Sequence, residues 1–118
     1  MKINILGTKY DIRIIDKSED TRLEESAGIC DYTDKTIIIG KGYDTDLKKP
    51  LEALKKTIRH ELVHAFLFES GLASQCYWAE SEEVIDWIAL QMDKINQTYQ
   101  EAINGLFING SIPINLSS

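Results

Sequence analysis

The stretch Thr57-Ile58-Arg59-His60-Glu61-Leu62-Val63-His64-Ala65-Phe66-Leu67-Phe68 decides how the rest of the chain is read. Apolar residues in and before it (Leu51, Leu54, Ile58, Leu62, Val63, Ala65, Phe66, Leu67) cover most of a helical circumference. A helix apolar nearly all round is buried on several sides. His60 and His64 are four residues apart and so project from one face, a turn from each other. At that spacing two imidazoles can bind one zinc ion. Glu61 then lies beside the open side of the metal, where it can take a proton from water.

The plain alternative is an amphipathic helix with two incidental histidines. Against it, unpaired His60, Glu61 and His64 would carry a large desolvation cost in the most apolar part of the chain. A catalytic zinc site takes three protein ligands and leaves the fourth position open. The chain has no third histidine, so the last ligand is expected to be a carboxylate or a thiolate. The extended pattern HExxHxxGxxH is excluded, because position 67 is Leu and position 70 is Ser.

Carboxylates gather downstream in Ala79-Glu80-Ser81-Glu82-Glu83-Val84-Ile85-Asp86-Trp87. Glu82 precedes Ile85 by three residues and Ala89 by seven, so it borders the apolar face of a second helix. It is the expected third ligand, with Glu83 as runner-up and Glu80 near a frayed start. Asp86, one turn below Glu82, can accept the N–H of a liganding histidine and fix its tautomer. The competing reading of Glu82 and Asp86 is an ordinary solvated helix start, where acidic residues favour the dipole.

Around this centre the pattern is α+β, a small antiparallel or mixed sheet packed on the two helices, in one domain over 1–118. Residues 2–6 and 10–15 alternate as strands around a turn at Gly7-Thr8-Lys9, with Tyr10, Ile12 and Ile14 on one face. Residues 17–26 read as a loop or a short helix. A second hairpin joins 28–32 to the β-branched run 36–40 through Thr33-Asp34-Lys35. The first helix is predicted over 51–70, capped by Thr45 or Asp46, with Pro50 in its first turn and Gly71 closing it. The second is predicted over 79–104, ended by Gly105, with Val84, Ile85, Ile88, Ala89, Met92, Ile95 and Tyr99 on its apolar face. Trp78 and Trp87 are expected in the core. The tail, with Phe107, Ile108, Ile112 and Ile114, is expected to pack back.

A formal net charge of −6 with no Lys/Arg cluster argues against a nucleic-acid partner. No stretch is apolar for long enough to span a membrane, and residues 1–7 lack a signal-peptide core, so a cytoplasmic location is expected. Cys30 and Cys76 are too few for a disulfide framework and read as reduced packing residues.

The wording His60-Glu61-x-x-His64 followed by Glu82-x-x-x-Asp86 resembles the gluzincin pattern of thermolysin-like metallopeptidases. The segments around it, residues 60–72 and 78–91, are similar to small zincin-like proteins of phages and prophages, distantly related to the ImmA/IrrE metallopeptidases. The chain departs from the SprT-like proteases, which use a third histidine. The resemblance implies a minimal zincin fold, one zinc per chain held by His60, His64 and Glu82, and a peptide or protein substrate. It implies that Glu61 is the general base and later protonates the leaving amine. It further implies a strand at the cleft edge, expected at 36–40, to which a peptide can pair. Larger relatives stabilise the oxyanion with a histidine or tyrosine; here Tyr77 is the candidate, with Tyr32 and Tyr43 behind it. The alternative is a zinc-bearing binding or regulatory protein with weak or no turnover.

Overall fold

The computed structural model of the chain describes residues 1–42 and 50–107. It is α+β, with a four-stranded mixed sheet and two helices. Strands β1 (Lys2–Ile5), β2 (Thr8–Asp16), β3 (Gly28–Asp31) and β4 (Thr36–Lys41) lie in the order β1-β2-β4-β3. The β1–β2 and β3–β4 pairs are antiparallel, and β2 runs parallel to β4, with Ile12 opposite Ile37. Both expected hairpins are present. The first turn lies one residue earlier than expected, at Leu6-Gly7, where φ is +50° and +92°. Two positive φ angles give the twist that a two-residue hairpin loop requires, and Gly7 takes one of them without a Cβ penalty. Gly7 N–H also donates to Asn4 Oδ1 (2.7 Å).

Helix α1 (Pro50–Glu69) begins on Pro50, and Gly71 follows it with φ +83°, as a C′ glycine does. One side of α1, carrying Leu54, Ile58, Leu62 and Ala65, packs on Ile5, Tyr10, Ile37 and Ile39 of the sheet. The other side, carrying Val63 and Leu67, packs on Ala79, Ile85 and Ala89. Covered on two flanks, α1 is apolar around most of its circumference, and its histidine face looks out between the sheet edge and the second helix. Full burial of Ile5, Ile37 and Ile39 contributes about 1.5–3 kcal/mol each. On the reverse of the sheet Ile38 is buried too, and Leu23 is fully covered. Leu23 comes from the second of two 3-10 turns, Lys17–Glu19 and Thr21–Glu24, that form the segment read as loop or short helix.

Helix α2 (Glu82–Leu106) starts three residues later than the periodicity predicts. Residues Tyr77–Glu80 form a separate 3-10 turn, and the Ser81 hydroxyl accepts Val84 N–H (3.4 Å) as the N-cap. A serine side chain satisfies a free N–H that alanine cannot, so the helix starts there. Gly105 does not stop α2. It stays helical, and the last bond is Phe107 N–H to Ile103 O (3.0 Å). The expected apolar face of α2 divides: Ile85 and Ala89 are buried, Ile88 and Met92 pack beside them, and Ile95 and Tyr99 are exposed. Ile14, Trp78 and Trp87 also lie largely in solvent rather than in the core. Ile14 lies beyond the strand positions in the α1-covered cluster, and α2 meets Val63 and Leu67 of α1 through Ile85 and Ala89, with Ala79 of the 3-10 turn beside them. The expected cap at Thr45 or Asp46, Tyr43, and Ile108, Ile112 and Ile114 of the tail lie outside the described residues. Among the described residues, no helix is long and apolar enough to cross a membrane.

The last turn of α1 is tied to the sheet by Glu69, which accepts from Lys35 Nζ (2.7 Å), Tyr10 Oη (2.8 Å) and Thr8 Oγ1 (3.3 Å). Lys35 first, then Tyr10, hold the Glu69 carboxyl below its ordinary value. A depressed carboxylate adds stability above its unfolded value of about 4.3 and loses it as pH falls through the folded value. Glu69→Gln is therefore expected to melt lower than the parent at neutral pH, the gap closing on acidification below about pH 4.3. Thermal melts through that range measure it. A gap that does not change with pH would exclude this role for the carboxylate.

Candidate metal centre

His60 and His64 sit a turn apart on α1, their rings edge to face with centroids 4.9 Å apart. His60 Nδ1 lies 2.7 Å from Asp86 Oδ1. With Nδ1–H donated to that carboxylate, a neutral His60 presents its Nε2 lone pair inward. His60 Nε2 is 3.2 Å from His64 Nε2, and the Glu82 carboxylate bridges the two, with Oε2 2.9 Å from His60 Nε2 and Oε1 3.2 Å from His64 Nε2. Lone-pair donors this close repel unless a cation, a proton or a metal ion, lies among them. His60, Glu61 and His64 also form a group whose ligand atoms lie within 4.8 Å of one another and could hold a metal ion. Of the two carboxylates, Glu82 is the nearer, since Glu61 Oε1 is 4.0 Å from His60 Nε2.

The position of Glu82 depends on how α2 is anchored. Arg59 Nε–H donates to Ala89 O (3.0 Å) and its Nη1 lies 3.5 Å from Asp93 Oδ2. This clamp lies next to His60 in sequence and sets the spacing between the helices at the site. The histidine side chains are only 19% and 16% exposed, whereas Glu82 is 67% exposed. The two imidazoles are largely buried, and the Glu82 carboxylate reaches them from the solvent side.

Glu61 is the one buried charged residue among those described, at 6% exposure. Burial pushes its carboxyl up to about 7, against the opposing pull of His60, and Glu82 adds to the rise. Burial likewise lowers the His64 pKa and favours its neutral form. Room for Glu61 comes from Gly28, the first residue of β3. A Cβ there would stand 2.8 Å from Thr57 Cγ2 and 3.0 Å from Glu61 Cγ. A side chain at position 28 would push the edge strand or the glutamate out of place.

These groups open onto a cleft of about 610 Å³, walled on one side by residues 26–30 and on the other by Thr57, His60, Glu61 and His64. The strand along the cleft is therefore β3, not the expected 36–40. β4 is central, paired to β2 and β3 on its two sides, and has no free edge. The outer edge of β3 pairs with no strand among the described residues.

The chain matches no family model, no curated protein and no solved structure.

The remaining sequence-predicted residues separate clearly. Glu83 is exposed and does not line the cleft, so the structure brings Glu82 and not its runner-up to the histidines. Tyr77 is 97% exposed and is not brought to the site. A side chain on the outer surface of the 3-10 turn cannot reach a reacting carbonyl in the cleft. Tyr32 does line the cleft. Its hydroxyl lies 3.4 Å from His64 Nδ1, and burial raises its pKa to about 12. Gly28, Thr57 and Arg59 were not found by motif reading. A glycine opening a strand was the only signal of the close approach at Gly28, and neither Thr57 nor Arg59 carried one.

Proposed function

We propose that the protein is a zinc-dependent peptidase of minimal zincin type. The observation that carries this reading is the convergence of His60 Nε2, His64 Nε2 and the Glu82 carboxylate beside the buried Glu61 at the wall of an open cleft. Two ligand atoms each about 2.0–2.1 Å from one tetrahedral zinc lie about 3.3 Å apart. His60 Nε2 and His64 Nε2 are 3.2 Å apart, close to that spacing, and each has one oxygen of the Glu82 carboxylate within 3.2 Å. Two imidazoles and a carboxylate are also a donor set that suits zinc.

His60, His64 and Glu82 would hold the ion, with Asp86 fixing the His60 ring. Zinc, when bound, supplies Lewis-acid polarisation of the scissile carbonyl and makes water a stronger acid. Glu61 takes the proton from the attacking water and delivers it to the leaving amine. The outer edge of β3, which pairs with no strand among the described residues, would offer backbone N–H and C=O groups to an extended peptide running past Glu61.

The test is digestion of a peptide library by the zinc-loaded protein, the chelated protein and the chelated protein given zinc again, read by mass spectrometry. New termini are expected only in the two zinc-containing samples. Equal digestion without zinc would overturn the metal-dependent reading. Stoichiometric zinc with no cleavage would overturn hydrolysis and favour a zinc-bearing binding protein.

A further inference from the structure

The two histidines have different partners on their outer nitrogens. His60 Nδ1 has a carboxylate at 2.7 Å, whereas His64 Nδ1 has the Tyr32 hydroxyl at 3.4 Å. The Tyr32 ring is held independently of that contact. It stacks on Phe68 at a centroid distance of 4.2 Å and an interplanar angle of 1°. Phe68 is four residues beyond His64 on α1, so His64 and Phe68 lie on one face. Tyr32 spans from the Phe68 ring to the His64 imidazole.

The backbone carrying Tyr32 is also pinned. Asp31 Oδ1 accepts the N–H of Thr33 and of Asp34, each at 3.0 Å, which closes the turn after β3. Lys35, with φ +53°, ends that turn. Its Nζ lies 4.8 Å from the Phe68 ring centroid and 2.7 Å from Glu69 Oε1. The β3–β4 turn is thus bolted to the last two turns of α1, and the tyrosine it presents borders both the main cleft and a smaller cavity lined by His64, Phe68 and Ala79.

We propose that Tyr32 is a positioning residue for the metal centre: its hydroxyl oxygen accepts His64 Nδ1–H and holds the His64 Nε2 lone pair toward the ion. The inference rests on the zinc reading given above. A ring that binds metal through Nε2 must carry its proton on Nδ1, and a fixed acceptor there selects that tautomer and orients the ring. The hydroxyl accepts in this arrangement, so its role is distinct from donating to a reacting oxyanion. The β3–β4 turn is then part of the metal site, although it contributes no ligand.

The test compares zinc affinity, by competition with a chromophoric chelator, in the parent, Tyr32→Phe and His64→Ala. Phenylalanine keeps the stack on Phe68 and removes only the hydroxyl, so the metal-free melt is expected to be unchanged. Zinc affinity is expected to fall by about 10–100-fold. Parent-level affinity in Tyr32→Phe overturns the proposal; if turnover is lost at that unchanged affinity, Tyr32 is a donor to the reaction and not a positioning residue. If affinity and melt fall together, solvent exchange of the His64 ring N–H in the zinc-loaded protein decides. Faster exchange in Tyr32→Phe supports the proposal, and the parent rate overturns it. Parent-level affinity in His64→Ala would instead remove the zinc reading itself.

Discussion

Glu61→Gln is expected to bind zinc as the parent does and to hydrolyse peptides about 10²–10⁴-fold more slowly. The carboxamide has nearly the shape of the carboxylate, so the fit of the side chain against Gly28 survives. The Glu61 oxygen lies 4.0 Å from His60 Nε2, beyond the 2.9 Å at which Glu82 approaches, so the nearer carboxylate remains to complete the ligand set. What glutamine cannot do is accept a proton from water and release it to an amine. Removing a group that acts only in the transition state lowers kcat and kcat/KM together and leaves KM unchanged. Metal analysis and steady-state kinetics on one preparation separate the two roles. Parent-level turnover at full zinc occupancy would rule Glu61 out as the base, and loss of zinc would make it a ligand.

His64→Ala is expected to lose most of the bound metal. Apparent zinc binding energies of about 10–16 kcal/mol at four-ligand sites imply roughly 2.5–4 kcal/mol per ligand, or about 10²–10³-fold in affinity. Glu82→Ala is expected to fall in the same range, because its carboxylate bridges both Nε2 atoms. Glu83→Ala is expected to match the parent, being exposed and outside the cleft. Zinc content after dialysis against a weak chelator measures all three. Full occupancy in His64→Ala would remove the site as drawn. Equal losses in Glu82→Ala and Glu83→Ala would assign them to a general electrostatic effect of the acidic helix start rather than to one ligand.

The readings that held rest on local periodicity. Four-residue spacing placed His60 and His64 on one face, alternation produced both hairpins, and the apolar circumference of residues 51–67 announced a helix covered on two sides. Those that moved depended on partners distant in sequence. The edge strand passed from 36–40 to β3, because a β-branched run signals burial and burial belongs to the central strand. The Ile37–Ile39 run is the strongest strand signal for the same reason that it has no free edge. Trp78 and Trp87 read as core by type, yet the α1–α2 contact is filled by Val63, Leu67, Ile85 and Ala89, and both indoles lie outside it. The start of α2 moved to Ser81 because a local cap outweighed the continuing periodicity.

The sequence by itself determined the chemistry available: two histidines at helical spacing, a glutamate between them, and a short set of acidic residues downstream. Helical phase fixes side-chain direction to within one residue, so it left Glu82 or Glu83 as the carboxylate expected to face the histidines. Tertiary structure decided the rest. The Arg59 clamp sets how α2 lies on α1, and so which carboxylate reaches both imidazoles. Gly28 lets the edge strand lie close over Glu61, the one buried charged residue among those described. The β3–β4 turn carries Tyr32 to His64 across more than thirty residues of sequence. Directions of side chains along one helix follow from its geometry, whereas distances between elements follow from packing, which no local pattern encodes.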